Sequence, residues 1–167
     1  MKTKDIILTA FFASLIFVGT YFFKIPISFA NGYTHLGDAL LIVAVLSLGT
    51  KRGVIAAGIG MGLSDLIGGY MVWVLPTMII KMVWALCVGL FRGKTESKTN
   101  LHGWCIGAAL GGVIQIIGYT LVKIILYGTK PAFIELPILS LQTLIGIALA
   151  FVIYPCLKKT ISAQSYT

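Results

Sequence analysis

The stretch LPILSLQTLIGIALAFVIYPCL, residues 136–157, carries no charged side chain over a length that matches the roughly 20 residues an α-helix needs to cross the hydrocarbon core of a bilayer. Residues 6–23 and 99–122 read the same way. Of the 167 residues, 58% are hydrophobic and only 11% are charged, against about 25% in an ordinary soluble domain. Such a chain places its apolar surface in lipid, where a backbone must satisfy its own hydrogen bonds, so its spans are helices. The expected fold is an all-α integral membrane protein, a single domain over residues 1–167.

The net charge is +8. In a membrane protein Lys and Arg first report topology, because cytoplasmic loops retain them, so the charge does not imply a nucleic-acid partner. Four basic clusters stand out: Lys2 and Lys4; Lys51 and Arg52; Arg92, Lys94 and Lys98; Lys158 and Lys159. If all four face the cytoplasm, each intervening segment crosses an even number of times. Each has room for two crossings of about 20 residues and none comfortably fits four. The expectation is therefore a bundle of six transmembrane helices near residues 6–23, 36–50, 53–70, 76–91, 103–122 and 136–157, with both termini cytoplasmic. Outer turns fall at 24–36, with Pro26 and Asn31-Gly32 as breakers, at 70–75, and at 127–135, with Gly128, Pro131 and Glu135. Lys2 and Lys4 ahead of an apolar run imitate a secretory signal, with residues 28–30 as a cleavage site. The run exceeds the usual signal core of about 7–15 residues, so a retained first span is expected.

Five acidic residues, two histidines and three cysteines leave no CxxC pair, no HExxH helix and no metal-ligand spacing. Cys87, Cys105 and Cys156 fall inside spans, where cysteine packs as a small apolar group. Residues 89–95, GLFRGKT, are one residue short of a P-loop and follow a membrane helix where that motif requires a strand. Gly58, Gly60 and Gly62 lack the dinucleotide-binding spacing. An enzyme would have only His35 with Asp38 as an acid–base pair, without a third group to orient them. Neither ATPase chemistry nor other catalysis is expected, and no cofactor. Small residues recur at four-residue spacing: Gly103, Gly107 and Gly111; Gly58 and Gly62; and on the first span Ala10 with Ser14, or Thr9 with Ala13. Such stripes let helix backbones approach closely. On the third and fifth spans this implies packing within the bundle; on the first, a partner surface is equally open.

Polar residues inside a membrane are costly and by default functional. At 1.5 Å per residue, Asp65 and Gln115 each lie about 18 Å from the cytoplasmic side, while Lys81 and Gln142 lie about 8–9 Å below the outer surface. The four converge on one layer. Trp84 follows Lys81 by three positions and Tyr119 follows Gln115 by four, so each pair shares a helix face. Asn31, Tyr33, His35, Asp38, Trp73 and Glu135 form the outer rim. Together they describe a small outward-facing pocket with a few polar contacts and aromatic walls, suited to a small polar heteroaromatic ligand. A competing reading makes Asp65 and Lys81 a structural ion pair, and makes Trp73, Tyr70 and Tyr127 interfacial belt residues.

Three motifs carry a resemblance: GYTHLGDA at residues 32–39, Gly60-x-Gly-Leu-x-Asp65-Leu-x-x-Gly-Tyr70, and Pro76-Thr-x-Ile-Ile-Lys81. They are similar to the signature of substrate-binding S components of energy-coupling factor (ECF) vitamin transporters, nearest the riboflavin-type and the hydroxymethylpyrimidine- or pyridoxine-type groups. The resemblance extends over the whole chain. It implies a multi-pass protein of a prokaryotic plasma membrane that captures a vitamin from outside. The protein would then dock on a transmembrane coupling protein and two cytoplasmic ATPases, which use the ATP, and deliver the ligand by toppling. The family's coupling surface, a small-xxx-small motif on the first span, would fall on Thr9, Ala10, Ala13 and Ser14, with Ser14 replacing the usual alanine. The 24–36 loop would be the gate. Lys81, Gln115 and Gln142 are then expected to contact the ligand, Trp84 and Tyr119 to stack on its ring, and His35 and Asn31 to close over it. Asp38 and Asp65 belong to the motifs and are open to either a structural or a ligand role. Few polar groups and a short chain favour hydroxymethylpyrimidine or pyridoxine, with riboflavin second; a self-sufficient carrier or channel is the reading from another class.

Overall fold

The computed structural model describes residues 2–27, 32–93 and 101–163. Within them lie six helices: α1 (Thr3–Tyr21), α2 (Gly37–Leu48), α3 (Thr50–Ile67), α4 (Met71–Phe91), α5 (Leu101–Tyr127) and α6 (Thr129–Ala163). Two short strands, β1 (Lys24–Ile27) and β2 (Gly32–His35), separate α1 from α2. The helical architecture is as expected. The 24–36 segment is not a plain loop, because its two arms pair antiparallel with Lys24 opposite His35 and Ile27 opposite Gly32. Pro26, which cannot donate to a ladder, argues against a strand, yet a two-stranded hairpin is all edge and accommodates it.

Two of the turns are shorter than the prolines suggest. Pro76 lies inside α4 rather than at its start, so the α3–α4 turn occupies Gly68 to Tyr70. Pro131 lies in the first turn of α6, where a missing N–H removes no helical hydrogen bond, and Pro137 follows inside the helix. The turn expected over 127–135 thus shrinks to Gly128, whose φ of +89° is a left-handed conformation that glycine alone adopts freely. Gly49, at φ +91°, makes the equally abrupt join between α2 and α3.

Each helix packs against its neighbours in a closed circuit, α1 to α3, α3 to α4, α4 to α5, α5 to α6, α6 to α2 and α2 back to α1. α2 also touches α3 and α4 and is drawn inward. Asp38, Ala39 and the run from Leu41 to Val45 have no exposed surface at all. α1, α4, residues 102–127 of α5 and residues 129–156 of α6 are long and apolar enough to cross a membrane. α2, with 12 residues, reaches about 18 Å, short of a hydrocarbon core about 30 Å thick. Ile79, Leu90, Val113, Ile125, Ile134 and Val152 stand outward and exposed, an apolar mantle that water would not tolerate and lipid does.

Glycine stripes bring the helices together as expected. Gly58 and Gly62 of α3 receive Met82 and Met78 of α4, and Gly60 meets the Ala13 carbonyl and Ile16 of α1. Gly107 lies against the Cys87 carbonyl and Val88 of α4. One end of the bundle is basic. Arg52 bonds Asp5 at 2.7 Å and its Nε donates to the Leu48 carbonyl, while buried Arg92 donates to the carbonyls of Val45 at 2.8 Å and Leu46 at 3.0 Å. Two arginines therefore bond carbonyls of the last turn of α2, at the negative end of its dipole.

A Cβ at position 107 would sit 2.6 Å from the Cys87 carbonyl oxygen. Gly107→Val is therefore expected to cost about 1–3 kcal/mol through overpacking. Thermal unfolding of the detergent-purified protein should show a lowered midpoint, whereas Ile106→Val on the exposed face of the same helix should leave it near the wild-type value.

Candidate functional site

Four helices and the hairpin meet around the N-terminal end of α2. Asp38 stands in the first turn of α2, where the helix dipole favours a carboxylate, and is fully buried. α6 can press onto it because position 146 is glycine: a Cβ there would come within 2.7 Å of the Asp38 Cβ. Lys81 of α4, 1% exposed, donates its ammonium to Asp38 Oδ1 and to Gln115 Oε1 of α5, the latter at 2.7 Å. Gln115 Nε2 donates to Thr143 Oγ1 of α6 at 2.9 Å, and that hydroxyl donates to the Leu139 carbonyl at 2.8 Å. On the other side of the acid, Gln142 Nε2 donates to Asp38 Oδ2 at 2.9 Å and lies 3.3 Å from His35 Nε2 at the end of β2. One chain of polar contacts thus runs from the hairpin through α6 and α2 to α4, α5 and back to α6.

The physical demand behind it is plain. A lone charge at the centre of a membrane helix costs about 2.5–3.5 kcal/mol on insertion scales, so Lys81 and Asp38 are tolerated as a pair whose remaining donors and acceptors are met by amides. Aromatic rings enclose the ammonium: Lys81 Nζ lies 5.0 Å from the centre of Trp84 and 5.6 Å from that of Tyr119, within cation–π range. Trp84 is wholly buried and donates its indole N–H to the Ala108 carbonyl at 3.0 Å, across the α4–α5 contact. Tyr119 donates to Thr77 Oγ1 at 3.2 Å. Near the start of α4 and the end of α5, Trp73 lies 5.9 Å from Tyr119 and stacks on Tyr127, whose hydroxyl accepts its indole N–H at 3.3 Å. Lys123 lies over Trp73 and pairs with Glu135.

The depth estimate brought Lys81, Gln115 and Gln142 to one layer, and the structure joins all three in this network. It gives Lys81 a different ion partner from the one first considered, since the salt bridge is to Asp38. Asp65 is half-buried on α3 and its charge is within electrostatic reach of Lys81. Trp84 and Tyr119 flank the ammonium, and His35 is buried and joined through Gln142. Asn31 lies outside the described residues. Thr143 and Thr77 were not anticipated. Thr143 is one position past Gln142, and the sequence signal for it was Gly112: on α5, three residues before Gln115, its bare face receives the Thr143 methyl group.

The two stripes of α1 separate. Thr9 and Ala13 are buried, with Ala13 against Gly60, whereas Ala10 and Ser14 face outward. Ser14 Oγ bonds the Ala10 carbonyl at 3.0 Å, which hides its polarity within the helix. A partner surface on α1 would therefore use Ala10 and Ser14, beside exposed Ile6, Ile7, Phe11 and Val18.

Comparison with known proteins follows the same direction. The model of the family described as ECF-type riboflavin transporter, S component, matches residues 1–159. A protein of Pyrococcus woesei described only as an uncharacterized protein in a gap 3' region is 33% identical over 144 residues, covering 86% of this chain and 95% of that one. The thiamine precursor transporter HmpT of Lactococcus lactis subsp. cremoris (strain MG1363) is 30% identical over 159 residues, covering 94% of this chain and 89% of that one. A solved structure, described under "Structure and mechanism of the S component of a bacterial ECF transporter", superposes with a TM-score of 0.77 at 18% identity, over 96% of this chain and 99% of that one. That likeness shows a shared fold.

If the pair holds the site, Lys81→Met leaves a buried carboxylate alone and should destabilise the protein by about 3–5 kcal/mol. Adding Asp38→Asn should recover a substantial part of the loss. Thermal unfolding of the two single variants and the double variant measures that coupling, and strict additivity of the losses would contradict it.

Proposed function

The chain belongs to the family of ECF-type S components, and from that premise we propose that it captures a small water-soluble vitamin or vitamin precursor from outside the cell. It then hands the ligand on after docking with a transmembrane coupling protein served by two cytoplasmic ATPases. The observation that carries the reading is the neutral, amide-rich network under an aromatic layer, placed at one end of a lipid-exposed bundle beside a hairpin. Lys81, Gln115, Gln142 and Tyr119 offer hydrogen bonds, Trp84 supports the ammonium from below, and His35 with Asn31 closes over the ligand. Asp38 sets the position of Lys81 and Gln142, and Asp65 adds negative charge from α3. No group here performs covalent chemistry, and ATP is left to the partners.

The topology we infer is six crossings, with the basic end cytoplasmic. Arg52 beside Asp5 and Arg92 beside the end of α2 gather the start of α1, the α2–α3 join and the end of α4 at one side, as retention of basic residues inside requires. α2 crosses only jointly with the hairpin and α3, shielded from lipid by the other helices.

Hydroxymethylpyrimidine or pyridoxine is our first choice of ligand and riboflavin the second. An aminopyrimidine presents an amine donor beside a ring-nitrogen acceptor, which glutamine amides and an ammonium can match. The relative named as a thiamine precursor transporter supports this choice. Riboflavin is favoured instead by the description of the family model.

Native mass spectrometry and tryptophan fluorescence titration of the detergent-purified protein, with each of the three compounds, should find one bound one-to-one. Gln115→Leu and Tyr119→Leu should each weaken that binding about tenfold or more, as loss of a buried hydrogen bond or ring contact does. No binding of any compound to folded protein would sink the assignment. In liposomes the chain alone should not accumulate ligand, whereas the chain with its coupling protein, ATPases and ATP should. Ala10→Arg should abolish the second without changing affinity. Accumulation by the chain alone would make it a self-sufficient carrier.

A further inference from the structure

The polar chain fixes a hydrogen-bond direction that reaches the hairpin. Lys81 holds Asp38 through Oδ1, which keeps the carboxylate ionised and Oδ2 a pure acceptor. The Gln142 atom 2.9 Å from Oδ2 must therefore be its amide nitrogen, since a carbonyl oxygen there would set acceptor against acceptor. The same NH2 group lies 3.3 Å from His35 Nε2 and has only hydrogens to offer. His35 Nε2 must then present its lone pair, which places the imidazole proton on Nδ1 and leaves the ring neutral. Asp38 dictates the tautomer of a residue it does not need to touch.

We propose that Gln142 is a positioning residue that fastens the β1–β2 hairpin to α6 through neutral His35, and that protonation of His35 releases it. With both ring nitrogens protonated, Nε2–H opposes the amide N–H. Turning the amide over relieves that clash only by setting its oxygen against Asp38 Oδ2. The charges around His35 bear on the pH at which the ring takes its second proton, and Asp38 lies within electrostatic reach of it. Asp38 on α2 attracts an imidazolium and the Lys81 ammonium on α4 repels it, and these two are paired. Asp65 on α3 acts on Lys81, Glu135 on α6 is paired with Lys123 of α5, and Lys24 on β1 stands opposite His35 in register. Gln142 Oε1 stays available to a ligand donor, so the fastening and a ligand contact can coexist on one side chain.

Amide hydrogen exchange of the detergent-purified full chain, read by mass spectrometry, tests the fastening without any ligand. Failure here would therefore leave the vitamin-binding reading standing, and the reverse. Peptides covering residues 24–27 and 32–35 should lose about tenfold in protection, relative to α5 peptides of the same molecule, as pH falls through the interval of about 8 to 5 in which an imidazole gains charge. His35→Gln, whose side-chain oxygen can accept from Gln142 at any pH, should stay protected throughout. Gln142→Leu should lose hairpin protection at both ends of the range. An unchanged wild-type profile, or the same pH-dependent loss in His35→Gln, would overturn the proposal. Should Gln142→Leu not fold, the wild-type and His35→Gln profiles decide it alone.

Discussion

A lysine and an aspartate meet where neither could stand alone, and the centre of the bundle is arranged around that meeting. Lys81 and Asp38 are each almost devoid of exposed surface and bonded to one another, and the amides of Gln115 and Gln142 are turned toward them. Gln115 takes the second ammonium hydrogen, Gln142 covers the second carboxylate oxygen, and Thr143 closes the circuit on the Leu139 carbonyl. An ion pair in lipid is stable only when desolvation is met by geometry of this kind, and for that reason its neighbours have little freedom to change independently. The glycine at 146 belongs to the same requirement, because a side chain there would push α6 away from Asp38.

The constraint extends along α2. This helix is short and enclosed on all sides, and its ends are matched by opposite charges: Asp38 in its first turn, Arg92 and Arg52 on its last carbonyls. α4 supplies a partner at each end, Lys81 above and Arg92 below. The end of the molecule that holds the polar network and the basic end are therefore fastened to one rigid rod. The aromatic layer of Trp73, Tyr119 and Tyr127 completes the outer side, with the interfacial preference of Trp and Tyr put to use in stacking rather than in solitary anchoring.

Much of this could be read from the residues because lipid enforces simple rules. Uncharged runs predicted the helices, and counting residues from either face placed Lys81, Gln115 and Gln142 at one depth. Depth says nothing about azimuth, which is why Asp65 was weighed as the ion partner while Asp38, at the entrance of a helix read as an outer rim, holds that place. Prolines misled in the other direction. Pro76 and Pro131 are loop signals in water, but neighbouring groups in a bundle can accommodate the donor missing at Pro76 and the first turn of α6 loses nothing at Pro131, so α4 and α6 begin earlier than their sequences suggest. The hairpin was missed since four-residue strands interrupted by proline carry almost no periodic signal. The division of α1 into an inward Thr9–Ala13 stripe and an outward Ala10–Ser14 stripe was legible as two options, and only the packing of Gly60 chooses between them.

The shortness of α2 also bears on how the chain is made. As it emerges during synthesis, α2 has too few residues to span a membrane and carries Asp38 without a counter-ion, for Lys81 and Arg92 lie on a helix not yet built. It cannot settle in lipid by itself. Its place is created when α4 arrives with a charge for each of its ends and α6 arrives with Gly146 to close the last side. The final place of α2 thus depends on contacts that only later parts of the chain supply.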